Sequence, residues 1–197
     1  MMKVSEAKII AINICTQLQP FCDRINIAGS IRRQKDDVKD IEVICQPKIA
    51  PVIESDLFGN TKHSFLRIPD FKNKVLQLGE VVKGKADGKY IQIKLESINL
   101  DLFIPDGFDY YRQYAIRTGS SDYTRMIIAQ GWLKKGWCGS DKGLRKISDC
   151  KGTKKPDGKT EWRCVNENAA LPPVWESEED FFEWLGVCWI EPKQRSM

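Results

Sequence analysis

Apolar residues recur at helical spacing in "SEAKIIAINICTQLQP", where Ala7, Ile10, Ala11, Ile14 and Leu18 fall on one face. The pattern stops at Pro20, which has no N–H to donate into a continuing helix, so an amphipathic helix is predicted before it. Period-two alternation then marks four short runs as strands: "RINIAGS", "DIEVIC", "YIQIKL" and "INLDLFIP". Between them, "DFKNKVLQLGE" sets Phe71, Val75 and Leu78 at helical spacing ahead of Gly79. Strands interleaved with helices predict an α/β or α+β layer.

From about residue 112 the character changes. All six tryptophans lie between positions 132 and 189 and strand patterns thin out, which predicts two domains, 1–111 and 112–197. The second opens with "TGSSDYTRMIIAQGW", read as a capped helix with a glycine stop. Near its end, "ESEEDFFEWLG" has Ser177 and Asp180 spaced as a capping box, with Gly186 closing the helix. In "KGTKKPDGKTEW", Pro-Asp-Gly predicts a turn between two short strands.

Composition narrows the class. The 197 residues are 42% hydrophobic and 29% charged, with no apolar run of 18 residues. Glu6 and Lys8 interrupt the N-terminal apolar stretch, so no membrane span or signal peptide is expected, and a cytoplasmic monomer is. Seven cysteines, an odd number without a C-x-x-C pair, are expected as reduced thiols. His63, the only histidine, has no second imidazole to form a ligand pair and is read as an ordinary residue. The net charge of +4 is small but uneven. Residues 132–163 hold ten Lys/Arg against four acids, whereas 164–197 hold seven acids against Lys193 and Arg195. The basic block suggests a surface that faces a polyanion.

Candidate chemistry concentrates earlier in the chain. Residues i and i+2 of a strand share a face, so Asp40 and Glu42 of "DIEV" converge, and Asp101 points away from the apolar residues of "INLDLFIP". If these strands are neighbours, three carboxylates crowd together and repel unless a cation lies among them. Hard divalent ions suit such oxygen donors. Upstream, the Gly29-Ser30 turn with Arg32 and Arg33 offers N–H groups, a hydroxyl and guanidinium forks to a phosphate. A phosphate cradle beside carboxylate donors points to metal-assisted phosphoryl or nucleotidyl transfer.

The joint pattern, G-S-x-R-R followed by D-x-[DE] eleven residues after the glycine and a separate strand aspartate, resembles the nucleotidyltransferase core of the family X DNA polymerases, the polymerase beta group. "LGEVVKGKADGKYIQIKLESINLDLFIP" resembles the palm strands of that family, "RTGSSDYTR" its entrance to the thumb, and "SEEDFFEWLGVCWIEPKQR" the close of the thumb. The resemblance implies an α+β fold: a palm with a mixed sheet and helices, then a small α+β thumb. It implies that Asp40, Glu42 and Asp101 are catalytic and hold two Mg²⁺, with Mn²⁺ as a substitute, and that Asp101 lies nearest the primer 3′-hydroxyl. Gly29, Ser30 and Arg33 would bind the nucleoside triphosphate, and Thr118, Gly119 and Ser120 would form the turn beside its sugar. Arg125, Lys134, Lys135, Lys142, Arg145 and Lys146 are candidate nucleic-acid contacts, with Trp132, Trp137 and Trp162 as candidate stacking groups.

Several positions depart from the family. Glu42 stands where an aspartate is usual, Ile116-Arg117 where an aromatic pair precedes T-G-S, and Ser121 and Thr124 where the thumb helix offers Asp and Asn. Discrimination at the ribose 2′-hydroxyl is expected to differ. The lyase and fingers domains that usually precede the palm have no counterpart before Gly29, so the expected arrangement is palm plus thumb, with gap-containing DNA held by another surface. The leading expectation is DNA synthesis on a primer/template or gapped DNA, in a repair setting. The alternatives are a terminal or RNA-directed nucleotidyltransferase using NTPs, and a non-catalytic nucleic-acid-binding module of the same fold.

Overall fold

In the computed structural model, which describes residues 1–55, 61–156 and 158–196 and leaves out the side chains of 53–55, 62 and 63, strand β1 (Met2–Lys3) leads into helix α1 (Val4–Leu18). Ala7, Ala11, Ile14 and Leu18 of α1 are buried, and a 3₁₀ turn containing Pro20 ends it, as the sequence pattern predicts. Next come β2 (Cys22–Ile27), the short helix α2 (Gly29–Arg32), β3 (Asp37–Val38) and β4 (Asp40–Pro47). A hairpin of β5 (Ile49–Ser55) and β6 (Thr61–Arg67), without counterpart in the predicted elements, precedes α3 (Pro69–Leu76). The His63 backbone lies in β6, and its side chain is outside the described residues. The unit continues through β7 (Glu80–Gly84), β8 (Tyr90–Lys94), β9 (Asn99–Phe103) and α4 (Tyr110–Thr118).

The principal sheet has the order β2-β4-β9-β8-β7, with β4 and β9 parallel and the other pairs antiparallel. Its two faces divide as strand alternation requires. Ile41, Val43, Cys45, Ile91, Ile93, Leu100 and Leu102 form one core with α1 and with Phe71 and Val75 of α3. On the opposite face, α4 packs on β4, where the Tyr110 hydroxyl accepts a bond from Asn26 Nδ2 (2.8 Å).

The chain divides into two compact units, Met1–Thr118 and Gly119–Met197. The division falls later than the predicted 111/112 boundary because α4, which spans that boundary, packs on β4 and α2 of the first unit. The topology is mixed α+β with several sheets.

The second unit opens on α5 (Ser121–Tyr123), capped by the Ser120 hydroxyl, and runs through π-helical Thr124–Ala129 into α6 (Gln130–Lys134). Gly131 does not stop this helix, contrary to the sequence expectation. A Cβ there would lie 2.9 Å from the Leu185 side chain, so the glycine serves close packing, and the reversal comes at Gly136 (φ +77°). A four-stranded sheet follows, of β10 (Trp137–Ser140), β11 (Gly143–Lys146), β12 (Cys150–Lys154) and β13 (Thr160–Cys164), in the order β11-β10-β13-β12. Strands β12 and β13 are the predicted antiparallel pair, and Asp157 of its Pro-Asp-Gly turn is outside the described residues. Helix α7 (Glu178–Leu185) carries the predicted Ser177/Asp180 capping box and ends at Gly186 in the left-handed region (φ +76°). All seven cysteines are free thiols.

One ion pair anchors the C-terminal end of this unit. The Arg195 guanidinium, fully buried, donates to both carboxylate oxygens of Glu178 (2.7 and 2.9 Å) and to Ile190 O (2.9 Å), while Trp189 Nε1 donates to Glu178 Oε2 (3.0 Å). Breaking a buried pair strands the remaining charge, which costs about 3–5 kcal/mol. Glu178→Ala or Arg195→Ala is therefore expected to lower the stability of the second unit by roughly that amount in urea denaturation followed by tryptophan fluorescence. A loss below about 1 kcal/mol, the range of exposed pairs, would contradict this assignment.

Candidate active site

The parallel register of β4 and β9 sets Glu42 opposite Asp101 and Asp40 opposite Asn99, so all three acids lie on the sheet face turned away from the α1/α3 core. Asp101 Oδ1 accepts bonds from Tyr90 Oη (2.9 Å) and Gln92 Nε2 (2.8 Å), two side chains presented by the adjacent strand β8. Glu42 leans the other way: its carboxylate occupies the space where a Cβ at residue 29 would sit. Gly29 also has φ +62°, so both the backbone and the approach of Glu42 require glycine there. A backbone bond from Ala28 N to Glu42 O (2.8 Å) fastens the turn to β4.

The carboxylates perturb one another. Glu42 is pushed up to about 7, first by burial and then by the charge of Asp40, with Arg33 and Arg117 opposing the shift. Asp40 is raised by burial and then by Asp101. Burial lowers both Arg33 and Arg117, and the nearby Glu42 counteracts it. Tyr90 rises to about 12 through burial and through its bond to Asp101.

Around the turn, three buried polar atoms have no hydrogen-bond partner: Ser30 Oγ, Arg33 Nε and Arg117 Nε. A buried donor without a partner is costly, and such a group calls for an explanation in terms of an ion, a water or a ligand. Arg33 Nη1 donates to Thr118 O (2.6 Å), at the carboxyl end of α4. Arg32, read from sequence as a second phosphate fork, instead packs on the Tyr114 ring (3.7 Å) and donates to Thr118 Oγ1 (2.6 Å). Arg117 lies over the Phe103 ring (4.0 Å), on the strand that carries Asp101.

The structure thus brings Gly29, Ser30, Arg33, Asp40, Glu42 and Asp101 to one region of the first unit. Among the described residues, however, no group of three or more His, Cys, Asp or Glu is gathered as a ready metal site. Glu42 lies against Gly29, and Asp101 accepts from Tyr90 and Gln92. The donor chemistry, hard carboxylate oxygens beside an orphaned hydroxyl, still suits a divalent ion with a phosphate ligand.

The remaining expected residues hold other positions. Thr118 is fully buried and its hydroxyl accepts from Arg32. Ser120 accepts from Tyr123 N (3.2 Å) as a helix cap, and its N–H donates to Arg195 O (2.9 Å). Arg125 is exposed and paired with Asp122 (3.0 Å). Lys134, Lys135, Lys142 and Lys146 are exposed. Arg145 is not part of that surface: it is buried and donates to Leu144 O (2.7 Å), both faces of β11 being covered at this point. Trp132 is buried as well, which removes it from the stacking candidates, whereas Trp137 and Trp162 remain half-buried. Arg117 was legible only as a departure from an aromatic position, and its place beside the carboxylates depends on how α4 packs.

Among the described residues no helix is long and apolar enough to cross a membrane. No curated protein matches the chain. Residues 114–196, less than half of its length, match the DNA polymerase beta thumb family, so this part is similar to a polymerase subdomain associated with nucleic acid.

Proposed function

We propose that the chain transfers a nucleotidyl group from a deoxynucleoside triphosphate to a DNA 3′-hydroxyl, its first unit acting as a palm and its second as a thumb. The observation that carries this reading is the in-register pair Glu42 and Asp101, with Asp40 on the same face, beside the unpartnered Ser30 Oγ and Arg33 Nε. The thumb similarity of residues 114–196 supports DNA as the acceptor.

In this reading Ser30 and Arg33 hold the β- and γ-phosphates by charge-assisted hydrogen bonds. Asp40, Glu42 and Asp101 would hold two Mg²⁺ ions, or Mn²⁺ in their place, which when bound lower the pKa of the attacking hydroxyl and neutralise the triphosphate. Tyr90 and Gln92 hold Asp101 through Oδ1, and in this reading the Asp101 carboxylate accepts the hydroxyl proton. The 3′-oxygen forms a bond to the α-phosphorus, the α–β phosphoanhydride bond breaks, and pyrophosphate leaves with its electron pair. A second reading, nucleic-acid binding without catalysis, draws on the thumb-only match and on the absence of a ready metal cluster among the described residues.

Incubation with a gapped, primed duplex, dNTPs and Mg²⁺ is expected to extend the primer, and Asp101→Ala to reduce extension below detection. Binding of the same DNA without incorporation of dNTP or rNTP would favour the second reading.

The raised carboxyl of Glu42 adds a pH test with a definite sign. Its usual value is 4.5 and its folded value about 7, so between these the folded state binds the extra proton and stability falls as pH rises. In EDTA, unfolding free energy should decline by roughly 2–3 kcal/mol from pH 4.5 to above 7, and Glu42→Gln should flatten that slope. Millimolar Mg²⁺ should restore stability above pH 7 in the wild type and not in Glu42→Gln. A wild-type profile insensitive to Mg²⁺ would speak against the metal role.

A further inference from the structure

The proposed reaction uses two of the unpartnered buried atoms in the first unit, Ser30 Oγ and Arg33 Nε, and leaves a third, Arg117 Nε, without a task. Arg117 lies in the last turn of α4, one residue before Thr118, whose carbonyl accepts the bond from Arg33 Nη1 (2.6 Å). Its guanidinium rests over the Phe103 ring, 4.0 Å from the centroid. Phe103 stands two residues beyond Asp101 on β9, so the two share the acidic face of the sheet. The Phe103 ring packs in turn on Tyr90 (5.2 Å between centroids), whose hydroxyl donates to Asp101 Oδ1. A guanidinium laid on an aromatic ring keeps one plane, so its donors are aimed before a ligand arrives.

Among the described residues, Arg117 Nε meets no acceptor. Glu42 and Asp101 are near enough to act on the Arg117 charge, yet Glu42 lies against Gly29 and Asp101 Oδ1 accepts from Tyr90 and Gln92. Arg112, the other cation near Arg117, donates to both carboxylate oxygens of Asp109 (2.5 and 2.6 Å). A buried donor left unpaired is costly, so the position calls for an acceptor from outside the chain. Arg33 and Arg117 both act on Glu42, which places the two guanidinium groups around the same acid that fills the space at Gly29, next to Ser30. A phosphate oxygen suits such donors better than a neutral group does, because the bond is charge-assisted and matches the planar fork. The bare acids oppose an anion here. Once the divalent ions of the proposed reaction meet their charge, the guanidinium is left to a phosphate.

We infer that Arg117 is a third phosphate-binding side chain, donating to a phosphate of the nucleoside triphosphate alongside Ser30 and Arg33. The inference rests on the nucleotidyl-transfer reading and deepens it, by assigning substrate recognition to a residue that the sequence marks only as a departure from an aromatic position. An aromatic side chain there would offer a face to the sugar but no donor to a phosphate. The exchange shifts recognition toward the polyphosphate, the part that every nucleoside triphosphate shares.

The test is isothermal titration calorimetry of the full chain with dATP and, separately, with inorganic tripolyphosphate, in Mg²⁺ and without DNA, so that no acceptor hydroxyl is present. Arg117→Gln removes the charge and is expected to weaken both ligands about tenfold, as the loss of one hydrogen bond between charged groups implies. Arg117→Lys, which keeps the charge without the fork, should recover part of the loss and guards against misfolding of the glutamine variant. Packing of Arg117 against the base or sugar alone would leave tripolyphosphate binding unchanged, because that probe has neither. Tripolyphosphate affinity of Arg117→Gln within twofold of wild type, or a lysine variant no better than the glutamine variant, would overturn the inference. A wild-type chain that binds neither ligand would overturn it together with the nucleotidyl-transfer reading. Arg117-dependent binding without primer extension would refute the proposed catalysis alone, and extension by the wild type with Arg117-independent binding would refute this inference alone.

Discussion

Like-charged carboxylates held in register on one sheet face are the constraint around which the first unit is organised. The register belongs to the core on the other side of β4 and β9, where Ile41, Val43, Leu100 and Leu102 pack against α1 and α3. A one-residue slip of either strand would turn its acids into that core and its apolar residues out. Hydrophobic burial thus fixes the position of polar chemistry it never touches. The surroundings then relieve the repulsion by separate means. Tyr90 and Gln92 take Asp101, the space at Gly29 admits Glu42, and the charges of Arg33 and Arg117 oppose the upward shift of Glu42.

The turn at residues 28–33 has two tasks, and its neighbouring arginines divide them. Arg32 is spent on Tyr114 and the Thr118 hydroxyl. Arg33 gives one nitrogen to Thr118 O and keeps Nε unpartnered beside the acids. Both bonds reach the last residue of α4, where helix carbonyls lack intrahelical partners. The same contacts that close α4 therefore also set the position of the turn and of Ser30 within it.

Local patterning made much of the architecture legible. The α1 stripe, the four alternating strands, the Ser177/Asp180 box and the β12–β13 turn each follow from spacing or from a single backbone preference. The convergence of Asp40 with Glu42 follows from period two alone, whereas Asp101 joins them only because β4 and β9 pair in parallel, a non-local fact. Gly131 was misleading because a glycine that permits close packing and one that ends a helix look alike until Leu185 is in place. Arg145 and Trp132 misled for a related reason: a basic, tryptophan-rich stretch does not say which of its side chains the sheet and helices cover. Likewise Glu178 and Arg195, seventeen positions apart, carry no local sign of their pairing.

The second unit holds one ion pair in its interior and one like-charge contact on its surface. The buried Arg195 guanidinium meets two carboxylate oxygens and a carbonyl, and Glu178 also takes the Trp189 indole N–H. On the exposed hairpin β12–β13 one register pair, Lys151 and Arg163, sets like charges opposite each other, with Glu161 two residues from Arg163 on the same face and Asp141 close enough to act on it. Stability alone selects against the second arrangement, since an acid at either position would relieve it. The cost of that single contact is small in water, where solvent screening and the neighbouring acids reduce it.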